Sequence, residues 1–473
     1  MDPGNKKINQ HKVRSFFNDV REAVSGTEQD FTEGKLSRAI LLLSIPAVLE
    51  MIMESIFVIV DIWVVSKLGS DAVATVGLTE SLITIVYAIS LGLATATTSL
   101  VSRRIGEKNP EKASRTAFQA IITGIIVSLF IAIPGALFSG KLLDLMGASN
   151  EIVSRMSGYA RIMLGGNVVI MLLFIINAIF RSAGDAAIAM RVLWVGNIIN
   201  IILDPLLIFG IGPFPEMGIE GAAVATTTGR GIAVLYQFWL LFFGKKRIRL
   251  SLQHFGIDFG IIAKLIRISL GSIGQNLIGT SSWIALVRII SVFGSEIVAG
   301  YTIAIRIVSF TLLPSWGISN AASTLVGQNL GAKKPDRAQK SVMVTGWVNM
   351  ILLGTVGLVY IIFPRPFINL FIEDPAVLKS GIECLRIVSV GFIAYGLGMV
   401  IANSFNGAGD TTTPLKINIF AYWLIEIPLA WILAIKWGMN ENGVFWAIVI
   451  AESIMTITAY LIFRRGKWKL KEV

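Results

Sequence analysis

The sequence predicts an all-α polytopic membrane protein with twelve transmembrane helices in two six-helix bundles. Hydrophobic residues make up 54% of the 473 residues and charged residues only 15%, with a mean hydropathy of +0.72. This composition is typical of a helical bundle in lipid and not of a water-soluble domain. The chain also matches itself without a gap when it is displaced by 225 residues.

The repeat is clearest in polar loops. VSRRIGEKNPEKA (101–113) falls on VGQNLGAKKPDRA (326–338), and FRSAGD (180–185) falls on FNGAGD (405–410). Chance similarity between apolar segments seldom aligns polar loop residues, so this pattern indicates an internal duplication. In the repeated AGD turns, glycine allows the tight turn and the aspartate is expected to cap the next helix.

Apolar runs of about 20 residues define the spans. In the first copy they cover 38–66, 73–101, 116–139, 152–180, 187–210 and 217–243. In the second copy they cover 260–291, 298–325, 341–363, 377–404, 412–435 and 442–464. Because six spans per copy is an even number, both copies enter the membrane in the same orientation. The two bundles should then be related by a pseudo-twofold axis along the membrane normal.

Three parts follow from this layout: a tail at 1–37, a bundle at 38–250 and a second bundle at 251–473. The tail is polar and lacks a cleavable signal-peptide core, which predicts a cytosolic amino terminus. Within it, 11–24 places apolar residues at helical spacing opposite charges. That pattern fits an interfacial helix and a frayed tail equally well.

Basic residues are concentrated in alternate connections. They follow spans two, six and eight and the last span, whereas the loop 211–220 has none. The positive-inside rule therefore places both termini in the cytoplasm of a multi-pass protein of the cell inner (plasma) membrane. The net charge of +11 is explained by this topology, and no nucleic-acid partner is expected.

Span one carries a stripe of acids. At 100° per residue, Glu50, Glu54 and Asp61 lie within about 40° of each other on one helix face. A charge at mid-bilayer costs roughly 2.5 to 3.5 kcal/mol on insertion scales, so the stripe must face protein, water or a cation.

Other oxygen-bearing side chains converge on the level of Asp61. Asn200 and Asp204 share a face of span five, and spans two and six, which run the opposite way, bring Glu80 and Thr226 to a similar depth. Carboxylate, amide and hydroxyl oxygens suit Na⁺, for which Asp61, Asn200 and Asp204 would be the metal ligands. A carboxylate pair equally suits a proton. The site is interpreted as a cation-coupling site that needs no cofactor other than H⁺ or Na⁺, and the alternative is a polar network that only fixes helix register.

The duplication supplies an internal control. At the 225 offset, Asp61 becomes Leu286, Glu54 becomes Gly279 and Glu50 becomes Gln275, so buried acid is expected in one half only. In the second half, Arg306, Glu426 and Gln275 are possible cleft residues. Snorkelling or structural pairing is favoured for Arg306 and Glu426 over direct substrate binding.

These residues resemble the multidrug and toxic compound extrusion (MATE) family over about 37–465. The resemblance is carried by VDIWVVSKLGSDAVATVGL, the two AGD turns, NIILDPLLIFG and GIEGAAVAT. It implies a secondary antiporter that exports amphipathic organic cations, drugs and other xenobiotics in exchange for H⁺ or Na⁺. The family's amino-lobe site corresponds to Asp61, Asn200, Asp204 and a threonine, with Thr226 favoured over Thr227 and Thr228. Span seven has no carboxylate, unlike the NorM-type pattern, so the chain resembles the DinF-like branch more closely.

Alternating access by a rocker-switch motion is the expected mechanism, with the protein acting as a monomer in membrane lipid. A lipid-linked oligosaccharide or lipid flippase is the alternative, and Arg288 with Arg306 keeps it open. An enzyme is not expected, because the chain has no HExxH, GxSxG or phosphate-binding loop. The sequence does not identify the cargo or the coupling ion.

Overall fold

Helices form nearly all of the described chain. The computed structural model describes residues 18–26 and 28–473, and these ranges contain no β-strand. From residue 28 onward, the first half contains α1 (Leu36–Ser66), α2 (Ser70–Gly106), α3 (Pro110–Leu137), α4 (Ser139–Leu145), α5 (Asn150–Gly165), α6 (Asn167–Ala183), α7 (Ala186–Phe209) and α8 (Ile219–Phe243). The second half contains α9 (Phe259–Ile290), α10 (Ser295–Gly331), α11 (Pro335–Ile362), α12 (Pro364–Asn369), α13 (Pro375–Val390), α14 (Phe392–Gly407), α15 (Thr412–Lys436) and α16 (Glu441–Arg464).

The twelve predicted spans are confirmed. Among the described residues, nine helices are long and apolar enough to cross a membrane, and the pair α13 and α14 passes the same test with a bend of 56°. The other two spans are α1 and α8, with 31 and 25 residues, which carry intramembrane charges. Residues 18–25 are also helical, whereas 11–17 of the predicted interfacial helix lie outside the described residues.

The duplication extends to the backbone. The fourth span is interrupted at Gly166, between α5 and α6, and the tenth span bends at Gly391, which is 225 residues later. Left-handed backbone positions pair at the same offset: Gly69 with Gly294, Gly184 with Gly409, and Lys108 with Lys333. Asp185 caps α7 as predicted, because its side chain accepts a hydrogen bond from the N–H of Ile188 (3.3 Å). The same prediction is wrong for Asp410, whose carboxylate accepts from the hydroxyls of Thr412 and Thr413 instead of capping α15.

The chain divides into two compact units. The amino-terminal unit consists mainly of Leu41–Ser269, and the carboxyl-terminal unit consists of Leu270–Val473 together with Phe31–Ile40. The connection after α8 packs on the amino-terminal unit, where Asp258 pairs with Arg115 at 3.1 Å. In the other unit, the Arg337 guanidinium donates to the backbone carbonyl of Glu33 at 2.7 Å.

Two glycines bring α7 and α8 into close contact in the amino-terminal unit. A Cβ atom on Gly229 would lie 2.6 Å from the carbonyl oxygen of Gly196, so a side chain at Gly229 would push the helices apart. A Cβ atom on Gly196 would lie 3.2 Å from Ala233 and from the carbonyl oxygen of Gly229, which is a tight contact. Asn200 is one turn beyond Gly196, and Thr226 is one turn before Gly229. The close approach of the backbones therefore places these two polar side chains opposite each other.

In the carboxyl-terminal unit, α15 departs from regular α-helical geometry. Ile419–Glu426 and Ile432–Lys436 are π-helical, and the N–H of Ile427 bonds to the carbonyl of Tyr422, five residues back. Pro428, which has no N–H to donate, lies between the two segments, and π-helical turns are frequent at functional sites. Glu426 is the last residue of the first segment.

Candidate cation site

Four of the predicted site residues form one buried cluster in the amino-terminal unit. Asp61 on α1 is 8% exposed, Asp204 on α7 is fully buried, and Asn200 and Thr226 are also buried. The Asn200 amide nitrogen donates to the Thr226 hydroxyl at 3.0 Å and to Asp204 Oδ1 at 3.4 Å. The carboxyl groups of Asp61 and Asp204 lie within hydrogen-bonding reach, so they can share one proton.

Two acceptor oxygens of this cluster have no donor. Asp204 Oδ2 and Asn200 Oδ1 are buried and make no hydrogen bond within the protein. An unsatisfied buried acceptor costs about 1 to 3 kcal/mol, and more when it is charged. Protonation of the carboxyl pair or a bound cation would remove this cost, because each supplies the missing positive partner.

The donor set fits a hard monovalent cation better than a transition metal. The described residues include no group of three or more His, Cys, Asp or Glu placed to hold a metal ion. Two carboxylates, an amide oxygen and a hydroxyl are oxygen ligands of the kind that hard cations take.

The structure distinguishes the three candidate threonines. Thr226 is buried and bonded to Asn200. Thr227 instead packs toward Gly166, where its Cγ2 atom would lie 2.8 Å from an added Cβ, and Thr228 is exposed. Only Thr226 therefore contributes a hydroxyl to the cluster.

Glu80, on α2, lies at the edge of the cluster. It is near enough to Asp61 for their negative charges to repel, but its side chain is exposed. The structure therefore brings Glu80 to the site without enclosing it.

The three acids of the stripe on α1 differ in the charge of their partners. Glu50 accepts two hydrogen bonds from the Arg181 guanidinium (3.0 Å each), and Glu54 accepts one from Arg230 (3.1 Å). Among the described residues no arginine donates a hydrogen bond to Asp61, whose charged neighbours include Glu80, Asp204 and the Arg230 guanidinium that pairs with Glu54. Glu50 and Glu54 are thus neutralised by arginines, while Asp61 is paired with a second acid.

Sequence reasoning missed both arginines. Arg230 is buried in α8, donates to the Tyr87 hydroxyl at 2.9 Å and lies 5.5 Å from the centre of the Phe57 ring. The signal was a basic residue inside a span, in TTTGRG. Arg181 belongs to the FRSAGD turn, which was interpreted only as a hairpin.

Gln275 has a local structural role in the carboxyl-terminal unit. At the 225 offset, Glu50 and Arg181 become Gln275 and Asn406, and these two side-chain amides donate to each other at 3.0 and 3.2 Å. The same contact is therefore made by an ion pair in one unit and by a neutral amide pair in the other.

The prediction that buried acid belongs to one half is wrong. Glu426 and Glu452 are both buried in the carboxyl-terminal unit, where the Ser282 hydroxyl donates to Glu426 at 2.6 Å and the Tyr422 hydroxyl donates to Glu452 at 3.0 Å. Glu452 Oε2 is buried without a hydrogen-bond partner. Sequence reasoning missed Glu452 because it compared only the equivalents of the three acids in span one. Glu452 lies in the last span, and its equivalent in the amino-terminal unit is Thr227.

Both glutamates line a cavity of about 280 Å³. Its aromatic lining residues are Trp283, Tyr301, Phe392, Tyr395 and Tyr422. Neither Arg306 nor Arg288 lines this cavity, and both are exposed. Arg306 is not the partner of Glu426 in this structure, since that carboxylate is bonded to Ser282.

A duplicated bundle of twelve membrane spans with partly unsatisfied carboxylates inside it defines a multi-pass membrane transporter. Comparison with known proteins agrees. The MatE family model matches the chain twice, at 46–206 and 272–432. The chain therefore belongs to the MatE family of transporters, and it is not an enzyme.

The relatives and solved structures match nearly the whole chain. The probable multidrug resistance protein NorM of Thermotoga maritima is 26% identical over 454 residues, covering 93% of this chain and 94% of the relative. The FAD transporter of Shewanella oneidensis is 26% identical over 432 residues, covering 91% and 95%. A structure described as an outward-facing multidrug resistance MATE family transporter aligns with a TM-score of 0.87 at 27% identity, covering 94% and 99%.

Proposed function

We propose that this protein exports amphipathic organic cations in exchange for H⁺ or Na⁺, with Asp61, Asn200, Asp204 and Thr226 as the coupling site. The observation that carries the proposal is the pair of buried acceptor oxygens on Asp204 and Asn200 that have no donor. A transporter that exchanges ions needs such groups to be satisfied in one state of its cycle and not in another. The names of relatives such as NorM support drug export as the function.

The coupling ion acts by removing a buried charge. When no H⁺ or Na⁺ is bound at Asp61 and Asp204, the site holds one more ionised carboxylate than its hydrogen-bond donors can satisfy. That charge then lies in a region of low dielectric. Binding of one H⁺ or Na⁺ cancels one of the two negative charges of the pair and changes how α1 packs against α7. An ion shifts a conformational equilibrium only by its difference in affinity for the two states, and α1, which contains Pro46, is the element proposed to respond.

Placement of the coupling in the amino-terminal unit corresponds to the DinF-like arrangement. Asp61 and Asp204 share one cluster there without an arginine partner, unlike Glu50 and Glu54 on the same helix. In the proposed topology, both termini face the cytoplasm and the cluster lies in the outer half of the membrane. The flippase alternative has no support from the relatives named above.

The test is uptake of ethidium into proteoliposomes under an imposed pH or Na⁺ gradient. Asp61→Asn and Asp204→Asn should each reduce gradient-driven uptake at least tenfold, because an amide neither releases a proton nor supplies a charged ligand. The double variant Glu50→Gln, Arg181→Asn is the matched control. It removes buried charge from the same unit and reproduces there the amide pair that Gln275 and Asn406 form in the carboxyl-terminal unit. Full gradient-driven uptake by both aspartate variants would refute the proposal.

The two gradient arms identify the coupling ion. Uptake driven by a pH gradient in Na⁺-free buffer assigns H⁺, and uptake that requires a Na⁺ gradient at constant pH assigns Na⁺. A channel would instead carry current without ion exchange in the same vesicles.

A further inference from the structure

A second cavity lies at the end of the carboxyl-terminal unit that the predicted topology places in the cytoplasm. It has a volume of about 440 Å³ and lies between the start of α15 and the end of α16. It is separate from the acidic cavity, since no lining residue is common to both. Its basic lining residues are Lys416, Arg465 and Lys467.

The cavity has an excess of positive charge. Asp410 is its one acidic lining residue, and that carboxylate already accepts hydrogen bonds from the hydroxyls of Thr412 (2.9 Å) and Thr413 (2.7 Å). Lys471 lies 3.7 Å from the same carboxylate. Within the described part of the chain, no salt bridge engages the three basic lining side chains, so their charge is available to an anion.

The wall of the cavity is apolar. Ile417, Phe420 and Ile462 line it, and Phe420 is 42% exposed at the side of a membrane span. A ligand that satisfies the whole cavity must therefore combine an anionic group with a hydrocarbon portion. Basic pockets between transmembrane helices at the cytoplasmic surface have the chemistry that binds anionic lipid headgroups.

The floor of the cavity is rigid. Trp468 is buried, its ring stacks on Phe463 at 4.9 Å, and its Nε1–H donates to the Phe463 carbonyl at 3.0 Å. This anchor fixes the chain beside Lys467, so the basic residues belong to a folded site and not to a loose tail.

The positive-inside rule alone does not explain the three basic lining residues, because the duplicated amino-terminal unit does not repeat them. At the 225 offset, Lys416, Arg465 and Lys467 become Arg191, Leu240 and Phe242, and Arg191 donates to the carbonyl of Ala187. Three of the basic residues after α8, Lys246, Arg247 and Arg249, are bonded to protein groups, as in the 2.7 Å pair of Lys246 with Asp185. Both units share the same predicted orientation, but within the described residues the unpaired basic triad stands at these positions of the carboxyl-terminal unit and not at their equivalents in the amino-terminal unit.

We infer that this cavity binds the phosphate of an anionic glycerophospholipid, with Lys416, Arg465 and Lys467 on the headgroup and an acyl chain along Phe420 and Ile462. A lipid headgroup and a free phosphate ion share the anionic phosphate group that the three basic side chains would bind. The lipid is the occupant favoured here, because a free phosphate would leave the apolar wall unused.

The test measures lipid retention by native mass spectrometry and lipid-dependent thermal unfolding of the detergent-solubilised full chain. The probes are phosphatidylglycerol, phosphatidylcholine and inorganic phosphate. The triple variant Lys416→Gln, Arg465→Gln, Lys467→Gln is compared with Lys112→Gln, Lys264→Gln, Lys340→Gln, which removes equal charge from outside the cavity.

Wild type and the control variant should retain phosphatidylglycerol over phosphatidylcholine and gain thermal stability from it. The cavity variant should bind phosphatidylglycerol roughly 100-fold more weakly, given about 1 kcal/mol per basic residue at a membrane surface. Equal retention by the two triple variants would overturn the inference. So would equal stabilisation by inorganic phosphate, which would assign a soluble anion site. Neither outcome affects the proposed coupling role of Asp61 and Asp204.

Discussion

The two units share a backbone but satisfy their buried polar groups differently. Gly166 and Gly391 interrupt equivalent spans, and the same left-handed positions recur 225 residues apart. The amino-terminal unit pairs carboxylates with arginines and leaves one acid pair, Asp61 and Asp204, on its own. The carboxyl-terminal unit has no acid at the positions equivalent to Asp61 and Asp204, and it encloses Glu426 and Glu452 in an aromatic cavity. Backbone geometry has thus been retained after duplication, while the placement of buried charge has diverged.

The comparison separates buried charges that support the fold from those that we propose to be functional. An amide pair, Gln275 with Asn406, stands in the carboxyl-terminal unit where the amino-terminal unit has the ion pair of Glu50 with Arg181. The helices keep the same arrangement, so we infer that the ion pair supports the fold. Asp61 and Asp204 have no hydrogen-bonding counterpart pair, since their equivalents are the apolar residues Leu286 and Leu429. A contact that only stabilises packing should be exchangeable between the units, and a functional one should not.

Replacement of Arg181 alone should give the largest loss of stability. Arg181→Asn leaves the Glu50 carboxylate, whose side chain is 4% exposed, without its cation. We expect a loss of about 3 to 5 kcal/mol, as for other buried pairs that lose one partner. Unfolding of the detergent-solubilised protein measures it.

The double variant Glu50→Gln, Arg181→Asn sharpens the comparison. It reproduces the amide pair of Gln275 and Asn406 and should restore stability to within about 1 kcal/mol of wild type, because replacing a buried ion pair by neutral partners is often close to neutral. A double variant as unstable as Arg181→Asn would show that the units are not interchangeable at this contact.

Arg230→Met should have a smaller but clear effect. It introduces the residue found at the equivalent position 455 and removes the cation from Glu54, which is less buried than Glu50, with a side chain 29% exposed. We expect about 2 to 3 kcal/mol, and Glu54→Gln in the same chain should recover most of it. Thermal unfolding of the single and double variants gives the coupling, and additive losses would contradict the pairing.

The sequence could predict the scaffold because long apolar runs determine the spans and polar loops reveal the repeat. It could not determine which helix faces meet. Arg181 and Arg230 lie far from Glu50 and Glu54 in sequence, and only packing brings each arginine to its acid. The choice of Thr226 over its neighbours depends on the contact of Gly196 with Gly229, which no single-helix pattern contains. Glu452 was missed because a lone acid in an apolar span has no periodic signal.

The smallest effect is expected at a salt bridge that both units retain. Lys246 lies 2.7 Å from Asp185, whose side chain is 1% exposed, whereas Lys471 lies 3.7 Å from Asp410, at 14% exposed. Lys246→Met should cost about 1 to 2 kcal/mol. Lys471→Met should cost less than about 0.5 kcal/mol, because two threonine hydroxyls also satisfy Asp410. Equal losses on thermal unfolding would show that burial does not set the strength of this pair.

The central claim is tested most directly by ethidium binding to the purified protein as a function of pH and of Na⁺ concentration. Wild type and Glu452→Gln should bind ethidium with an affinity that depends on pH or Na⁺, since the coupling ion competes through Asp61 and Asp204. In Asp204→Asn that dependence should disappear while ethidium still binds. If Asp204→Asn keeps the full ion dependence and Glu452→Gln loses it, the coupling site lies in the carboxyl-terminal unit and the account is contradicted.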